Sequence, residues 1–397
     1  MSETMSRPDW LSYSTYKLEK ATISTENEVL LWFVFSCASL PPFSHNHSCH
    51  NTINAAAPLS SGNITTKMLQ EPLEVDPALF DDEDSDDGYC SSLSGYETNT
   101  IISTALHEYL LENGRRYHTY YGRDKNMLPT DEIEQDRMNL SHELFLLLLD
   151  GNLFLAPIGD APERILDIGT GTGIWAVEMA EKFPNAEVIG MDLSPTKPEW
   201  VPPNCRFDVA DAERELMHDD DSFDFVHARN IGQCISDWGH LMSEIYRVTK
   251  PGGYFELQEI GGILFSDDET LAPNNPAKIW YENISKALTR IGRPPSMTEE
   301  NMTFFLASGG FTDITASYTK HPLGPWPKDR TLKLVGSLNL VAGKTGYHAY
   351  GMALFTRVLG LTTDEANKIC RECALDAHNK NSHIYSLYHI VYGRKPV

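Results

Sequence analysis

Three glycines at alternate positions constrain this chain more than any other feature. They lie in Arg164-Ile165-Leu166-Asp167-Ile168-Gly169-Thr170-Gly171-Thr172-Gly173-Ile174-Trp175. An apolar run at 164–167 reads as a buried strand, and 174–183 reads as a helix. Glycine turns tightly and lets a ligand lie against the main chain. The helix that follows presents unpaired N–H groups to an anion. The pattern then repeats. Strands are expected at 187–192, 205–209 and 223–227, and an amphipathic helix at 237–250 carries Leu241, Ile245 and Val248 on one side. Pro251-Gly252-Gly253 breaks that helix before a strand at 254–258. Such alternation predicts a doubly wound α/β fold, with a mostly parallel sheet covered on both faces.

The spacing around the loop discriminates between ligands. A nicotinamide fingerprint needs a third small residue where Ile174 stands. Asp167 precedes the first glycine by two residues, where an acid attracts an ammonium group and repels a phosphate. Two further stations follow. Asp192, in Gly190-Met191-Asp192-Leu193-Ser194, ends the next strand, 19 residues past Gly173. Folds of this kind hold ribose hydroxyls with a carboxylate there. Asp211, in Val209-Ala210-Asp211-Ala212, ends the third and is placed to accept from the adenine amine, with Leu193 beside the ring. Singly, Asp192 and Asp211 read equally well as surface or capping carboxylates. Together with the loop, they make S-adenosylmethionine the expected cofactor.

Before the loop, residues 1–100 read as a mostly disordered, acidic region. Nine acids and no base lie between Glu71 and Asp87, a solvated run that reads mainly as a linker. The apolar stretch at 29–40 is too short to span a bilayer and begins too late for an ordinary signal peptide. Leu106, Tyr109, Leu110 and Asn113-Gly114 read as a helix closed by glycine. Asp131 opens a second helix that Asp150-Gly151 ends. Together, 101–155 is expected to be a helical lid. The rest, 156–397, is the main domain, with helices near 276–291 and 298–308, a strand at 311–318, a helical insertion about 324–383, and a last strand at 384–391. No internal repeat is visible.

Composition removes some functions. The chain carries 56 acidic against 32 basic residues, a net charge of −24. DNA binding rests on neutralising phosphates with Lys and Arg, so direct nucleic-acid binding is not expected. Seven scattered cysteines indicate reduced thiols, hence cytoplasm or nucleus. Cys370-x-x-Cys373 has no second pair, and His45-Asn46-His47-Ser48-Cys49-His50 lacks helical or strand context, so no metal site is expected. No membrane association is expected either.

The sequence resembles the fungal LaeA-like methyltransferases, a branch of the class I adenosylmethionine-dependent family. Beyond the loop, the resemblance is carried by Asn113-Gly114-Arg115-Arg116-Tyr117-His118, Asp136-Arg137, Trp200-Val201-Pro202-Pro203-Asn204 and Ala228-Arg229-Asn230. Ser236-Asp237-Trp238, Lys250-Pro251-Gly252-Gly253, Gly324-Pro325-Trp326-Pro327 and Val391-Tyr392-Gly393-Arg394-Lys395-Pro396 extend it, over roughly 72–397. The resemblance implies a seven-stranded Rossmann-like sheet whose last strand, at 384–391, runs antiparallel. It also implies a role in fungal secondary metabolism, as a tailoring enzyme acting on a small molecule or as a nuclear regulator working through a velvet-type protein complex. No cluster of five or more Lys and Arg marks a nuclear signal, which leans toward the first.

Methyl transfer from a sulfonium needs mainly in-line geometry and desolvation. A base is needed where the acceptor must lose a proton. His227, His240, Glu256 and Glu259 are the candidates, and none is assigned as catalytic. His227 reads as a core histidine or a base. Glu256 and Glu259 cannot both face the pocket, so one is expected to bind substrate and the other to be a surface acid. Asn230, just past the fourth strand, reads as a cofactor contact or a turn residue. Asn230-Ile231-Gly232-Gln233 departs from the Asn-Pro-Pro-Tyr of enzymes that methylate Gln amides. Finally, Arg116, Tyr117 and His118 are expected to lie over the cofactor as part of the lid, with exposed helix-end charges as the competing reading of the arginines.

Overall fold

The computed structural model describes residues 65–67, 71–80, 108–195, 198, 200–376 and 378–397. The apolar stretch at 29–40, the His45 to His50 cluster and most of the acidic run lie outside the described residues. The strands are β1 (Thr65–Lys67), β2 (Tyr109–Glu112), β3 (Arg115–His118), β4 (Arg164–Ile168), β5 (Glu187–Asp192), β6 (Cys205–Val209), β7 (Phe223–Arg229), β8 (Thr249–Ile260), β9 (Phe265–Ser266), β10 (Thr312–Pro322) and β11 (Ile384–Arg394). The helices are α1 (Glu132–Leu148), α2 (Ile174–Lys182), α3 (Trp238–Val248), α4 (Pro276–Arg290), α5 (Glu299–Ser308), α6 (Arg330–Ala353), which runs into a π-turn at Leu354–Val358, and α7 (Thr363–Asp376).

The strand order is β1-β10-β11-β8-β7-β4-β5-β6, with β9 paired to β11. From β8 to β6 every pairing is parallel, while β11 runs antiparallel to both β8 and β10. The seven strands from β10 to β6 form the expected sheet, and the last strand has the expected direction. Two short strands, β1 and β9, widen it. The strand after Pro251-Gly252-Gly253 starts earlier than expected, because β8 runs through these residues with Gly252 at φ 81°.

Helix starts follow local chemistry. Asp131 caps α1 by accepting from Glu134 N, and Asp237 caps α3 by accepting from His240 N. Thr298 and Asn301 form a reciprocal capping box on α5. The segment before α1 corrects the sequence reading. Tyr109 and Leu110 are not helical; β2 and β3 form an antiparallel hairpin. Asn113 (φ 52°) and Gly114 (φ 74°) are both left-handed, the pair that a two-residue hairpin turn requires. The same dipeptide also closes helices, which is why it misled. The region expected as a helical lid is therefore a hairpin followed by one helix.

Candidate active site

Strand order reverses between β5 and β7 around β4, and ligands of doubly wound sheets bind where it does. The glycine turn leaves β4 at this point. Gly169, Gly171 and Gly173 all have positive φ, at 73°, 58° and 80°. A Cβ at Gly169 would sit 2.4 Å from Ile231 Cγ2, and one at Gly173 would sit 2.5 Å from Phe207 Cζ. At Gly171 the nearest atom is Met138 Sδ of α1, 3.2 Å away, so the tip of the turn faces α1 across a cleft.

The carboxylates hold this turn. Asp192 Oδ2 accepts from Gly171 N at 2.9 Å, and its Oδ1 accepts from Ser194 N at 3.0 Å. Burial raises the Asp192 carboxyl, against the pull of these bonds. Asp167 Oδ1 lies 2.8 Å from His227 Nδ1, and the His227 ring stacks on Trp175 at 3.8 Å. His227 is thus clamped in the core and also lines the cleft. Asp211 Oδ1 pairs with Lys125 Nζ at 2.9 Å. Asn230 takes a left-handed turn at φ 53°, and its Oδ1 accepts from Ile260 N at 3.1 Å, tying the end of β7 to β8.

The structure brings Asp167, Gly169, Gly171, Asp192, Leu193, Asp211, Ala212 and Asn230 to one cleft. Gly173 stands behind it, at the N-cap of α2. Tyr117 is elsewhere, which corrects the expectation. It is fully buried in a core with Met127, Trp280 and Tyr347, the Arg357 guanidinium lies 4.7 Å from its ring centre, and burial pushes its phenol up to about 12. The cause is a buried ion pair. Arg115 binds Asp131 through two bonds, at 2.7 and 2.8 Å, which pins β3 to the start of α1 and turns Tyr117 into the core. Arg116 reaches Glu132 at 2.8 Å, away from the cleft.

The cover comes from further along. Lys125, Asn126, Leu128 and Pro129 line the cleft with Met138, Ser141 and Phe145 of α1. Buried Glu134 anchors this helix, accepting from Arg137 at 2.7 and 3.0 Å, and Arg137 reaches Tyr350 Oη of α6 at 3.4 Å. The Glu134–Arg137 spacing on one helix face was readable in the sequence, but not its direction toward the cleft.

A second chamber adjoins the first and shares Arg137, Ser141, Phe145, Asn230 and Tyr350 with it. Its floor is Glu259 to Gly262, and its walls include Trp280 and Ile284 of α4 and Asn339 and Ala342 of α6. The two β8 glutamates face opposite ways, as strand parity requires. Neither is a surface acid. Glu256 is buried on the far side, accepting from Leu155 N at 2.9 Å and Ala156 N at 2.6 Å. Glu259 lines the chamber; its Oε1 accepts from Ile231 N at 2.8 Å and Gly232 N at 2.9 Å, and burial pushes its carboxyl up to about 8. His240 lines neither space. Among the described residues no His, Cys, Asp and Glu group is suited to a metal ion, and no helix is long and apolar enough to cross a membrane. Cys370 and Cys373 are buried in the core.

With this geometry in view, similarities to known proteins are informative. A methyltransferase-domain family matches residues 140–315. The chain is 37% identical to methyltransferase pytC of Aspergillus terreus, over 77% of this chain and 94% of that protein. It is 35% identical to the secondary metabolism regulator LAE1 of Cochliobolus heterostrophus, over 75% and 99%. It is 32% identical to the protein-methionine methyltransferase laeA of Emericella nidulans, over 77% and 81%. The cofactor of such domains carries an ammonium, a carboxylate, ribose hydroxyls and an adenine. A backbone cradle that a side chain at Gly169 would close, flanked by three carboxylates, fits it.

Proposed function

We infer that this chain, which belongs to the fungal LaeA-like family of S-adenosylmethionine-dependent methyltransferases, methylates a small organic acceptor held in the second chamber, as a step in secondary metabolism. The observation that carries this reading is that the two chambers share Arg137, Ser141, Phe145, Asn230 and Tyr350, which supports a cofactor in one and an acceptor in the other. Bound in the first chamber, the cofactor supplies an electrophilic methyl group on its sulfonium. Everything else falls to the chain. Asp167, oriented by His227, faces the ammonium group. The N–H groups of the glycine turn meet the carboxylate. Asp192 takes the ribose hydroxyls, and Asp211 takes the adenine amine between Leu193 and Ala212. Met138 and Phe145 keep water from the reacting centre, and the shared residues fix the approach.

Relatives named as secondary metabolism regulators favour a second reading, in which the chain acts through a protein partner in the nucleus. Under both readings it works in the cytoplasm or nucleus, and its net charge of −24 argues against direct contact with nucleic acid. The test is incubation of purified protein with methyl-labelled cofactor and fungal extract, separated into small molecules and proteins. Label in the small-molecule fraction supports the first reading. Label confined to proteins supports the second, and no transfer to either fraction contradicts the first.

A further inference from the structure

We propose that the second chamber takes a planar aromatic compound bearing a hydroxyl group, and that Glu259 is the base that removes the hydroxyl proton during transfer. This rests on the reading of the two chambers as cofactor and acceptor sites. Three observations carry it. The chamber wall is apolar where Trp280, Pro294, Pro295 and Met297 line it, and proline rings and an indole suit packing against a ring system. Glu259 lines the chamber one hydrogen bond away from the cleft. Its Oε1 is committed to the N–H groups of Ile231, which lines the cofactor cleft, and Gly232, which lines the chamber. No hydrogen bond engages Oε2 among the described residues. On the chamber wall, His321 is fully buried; its Nδ1 lies 2.9 Å from Ser386 Oγ, and its Nε2 has no partner. A buried ring nitrogen left open beside an apolar chamber marks a place built to meet a polar group of a ligand.

The charges around Glu259 fit this role. Cys234 and the phenols of Tyr350 and Tyr388 are pushed up by burial, Cys234 to about 11, so all three stay neutral. His321 is held down to about 3 by burial and is neutral as well. Arg137 remains charged but is committed to Glu134. Among the described residues that line the chamber, the one guanidinium is already paired and the one carboxyl is Glu259, held above the usual carboxylate range by burial. In the step, the acceptor oxygen bonds to the methyl carbon as the carbon–sulfur bond breaks. The electron pair of the O–H bond stays on oxygen, the proton passes to Glu259 Oε2, and the sulfonium leaves as a neutral thioether. Glu259 then returns the proton to water.

The test uses the full chain and two fluorescent probes, 2-naphthol and 2-methoxynaphthalene, which lacks the proton. Adenosylhomocysteine binding, measured by calorimetry, is the control and should stay within about twofold in every variant. At pH 8 the wild-type protein should prefer 2-naphthol about tenfold or more, a preference that Glu259→Gln reduces to near unity. Ala342→Phe, which fills the chamber, should weaken both probes about tenfold or more. Methylation of 2-naphthol should fall about 100-fold or more in Glu259→Gln and lose its rise with pH near 8. Equal binding of the two probes to the wild type, bound naphthol that is not methylated, or undiminished turnover in Glu259→Gln overturns the proposal. Failure of adenosylhomocysteine to bind the wild type instead removes the cofactor reading beneath it.

Discussion

The two walls of the cofactor cleft are built differently. The sheet-side wall is backbone: three left-handed glycines within five residues, closed by an aspartate on the neighbouring strand. The cap-side wall is held by charged side chains, one pair within α1 and two between separate segments. Arg115 meets Asp131, Glu134 meets Arg137, and Arg357 near the end of α6 meets Glu112 of the hairpin at 2.6 Å. A backbone wall fails when a side chain is added. A wall of buried ion pairs fails when one is removed, because the partner is left charged and dry.

Substitutions sharpen that contrast. The largest effect is expected at Glu134, which is 1% exposed and faces two arginines. Glu134→Leu should lower unfolding free energy by about 3–5 kcal/mol in urea titrations. An effect under about 1 kcal/mol would mean that the cap does not depend on its buried charges. On the other wall, Gly171→Arg forces a side chain into the left-handed turn and into the cleft. Adenosylhomocysteine affinity by calorimetry should drop at least about 100-fold, roughly 3 kcal/mol, with the melting curve still cooperative. Asp192→Ala removes an oxygen pair that orders Gly171 and Ser194 and should weaken the same ligand by about 1.5–3 kcal/mol without unfolding the chain.

Acid should act on the antiparallel side of the sheet through His321 of β10 and His389 of β11, held down to about 3 and about 4 by burial. A histidine whose folded pKa lies below its unfolded value binds its proton first in the unfolded chain, so stability falls as pH drops below about 6.5. Each contributes at most about 1.4 kcal/mol per pH unit until its folded value is reached. The urea midpoint of His321→Phe should therefore depend less on pH between 6 and 4 than that of the wild type; parallel curves would refute this. The smallest effect is local. Gly114→Ala, at φ 74°, should destabilise the hairpin by about 1 kcal/mol, visible as faster amide exchange at Leu110 and Tyr117 and little change in the glycine turn.

The same division decides what was legible. Strands β5 and β6 match the sequence reading residue for residue: β5 because the middle of a parallel strand buried on both faces is written as a short apolar run, and β6, at the sheet edge, because Cys205, Phe207 and Val209 alternate with charged residues. The glycine spacing, Asp192 and Asp211 follow from short-range rules of strand ends. The cap does not. Asn113-Gly114 suits a helix end and a hairpin equally, and only the pairing of Tyr109 with His118 decides between them. Tyr117 stands near the cleft in sequence but faces the core, since Arg115 is tied to an aspartate 16 residues on. Strand parity separated Glu256 from Glu259. Their burial was hidden, because Leu155 and Ala156, which cap Glu256, lie about 100 residues earlier. The second chamber joins Glu259, Trp280, His321 and Asn339 from four elements, and no spacing in the sequence encodes that meeting.

Amide hydrogen exchange with and without adenosylhomocysteine reads both walls of the cleft at once. Bound ligand should slow exchange at 169–173 and also at 125–145, the cap segment that faces the turn, and leave the hairpin at 109–118 unchanged. Protection confined to the glycine turn, or protection of the hairpin in place of 125–145, would contradict a cofactor enclosed between the sheet and α1.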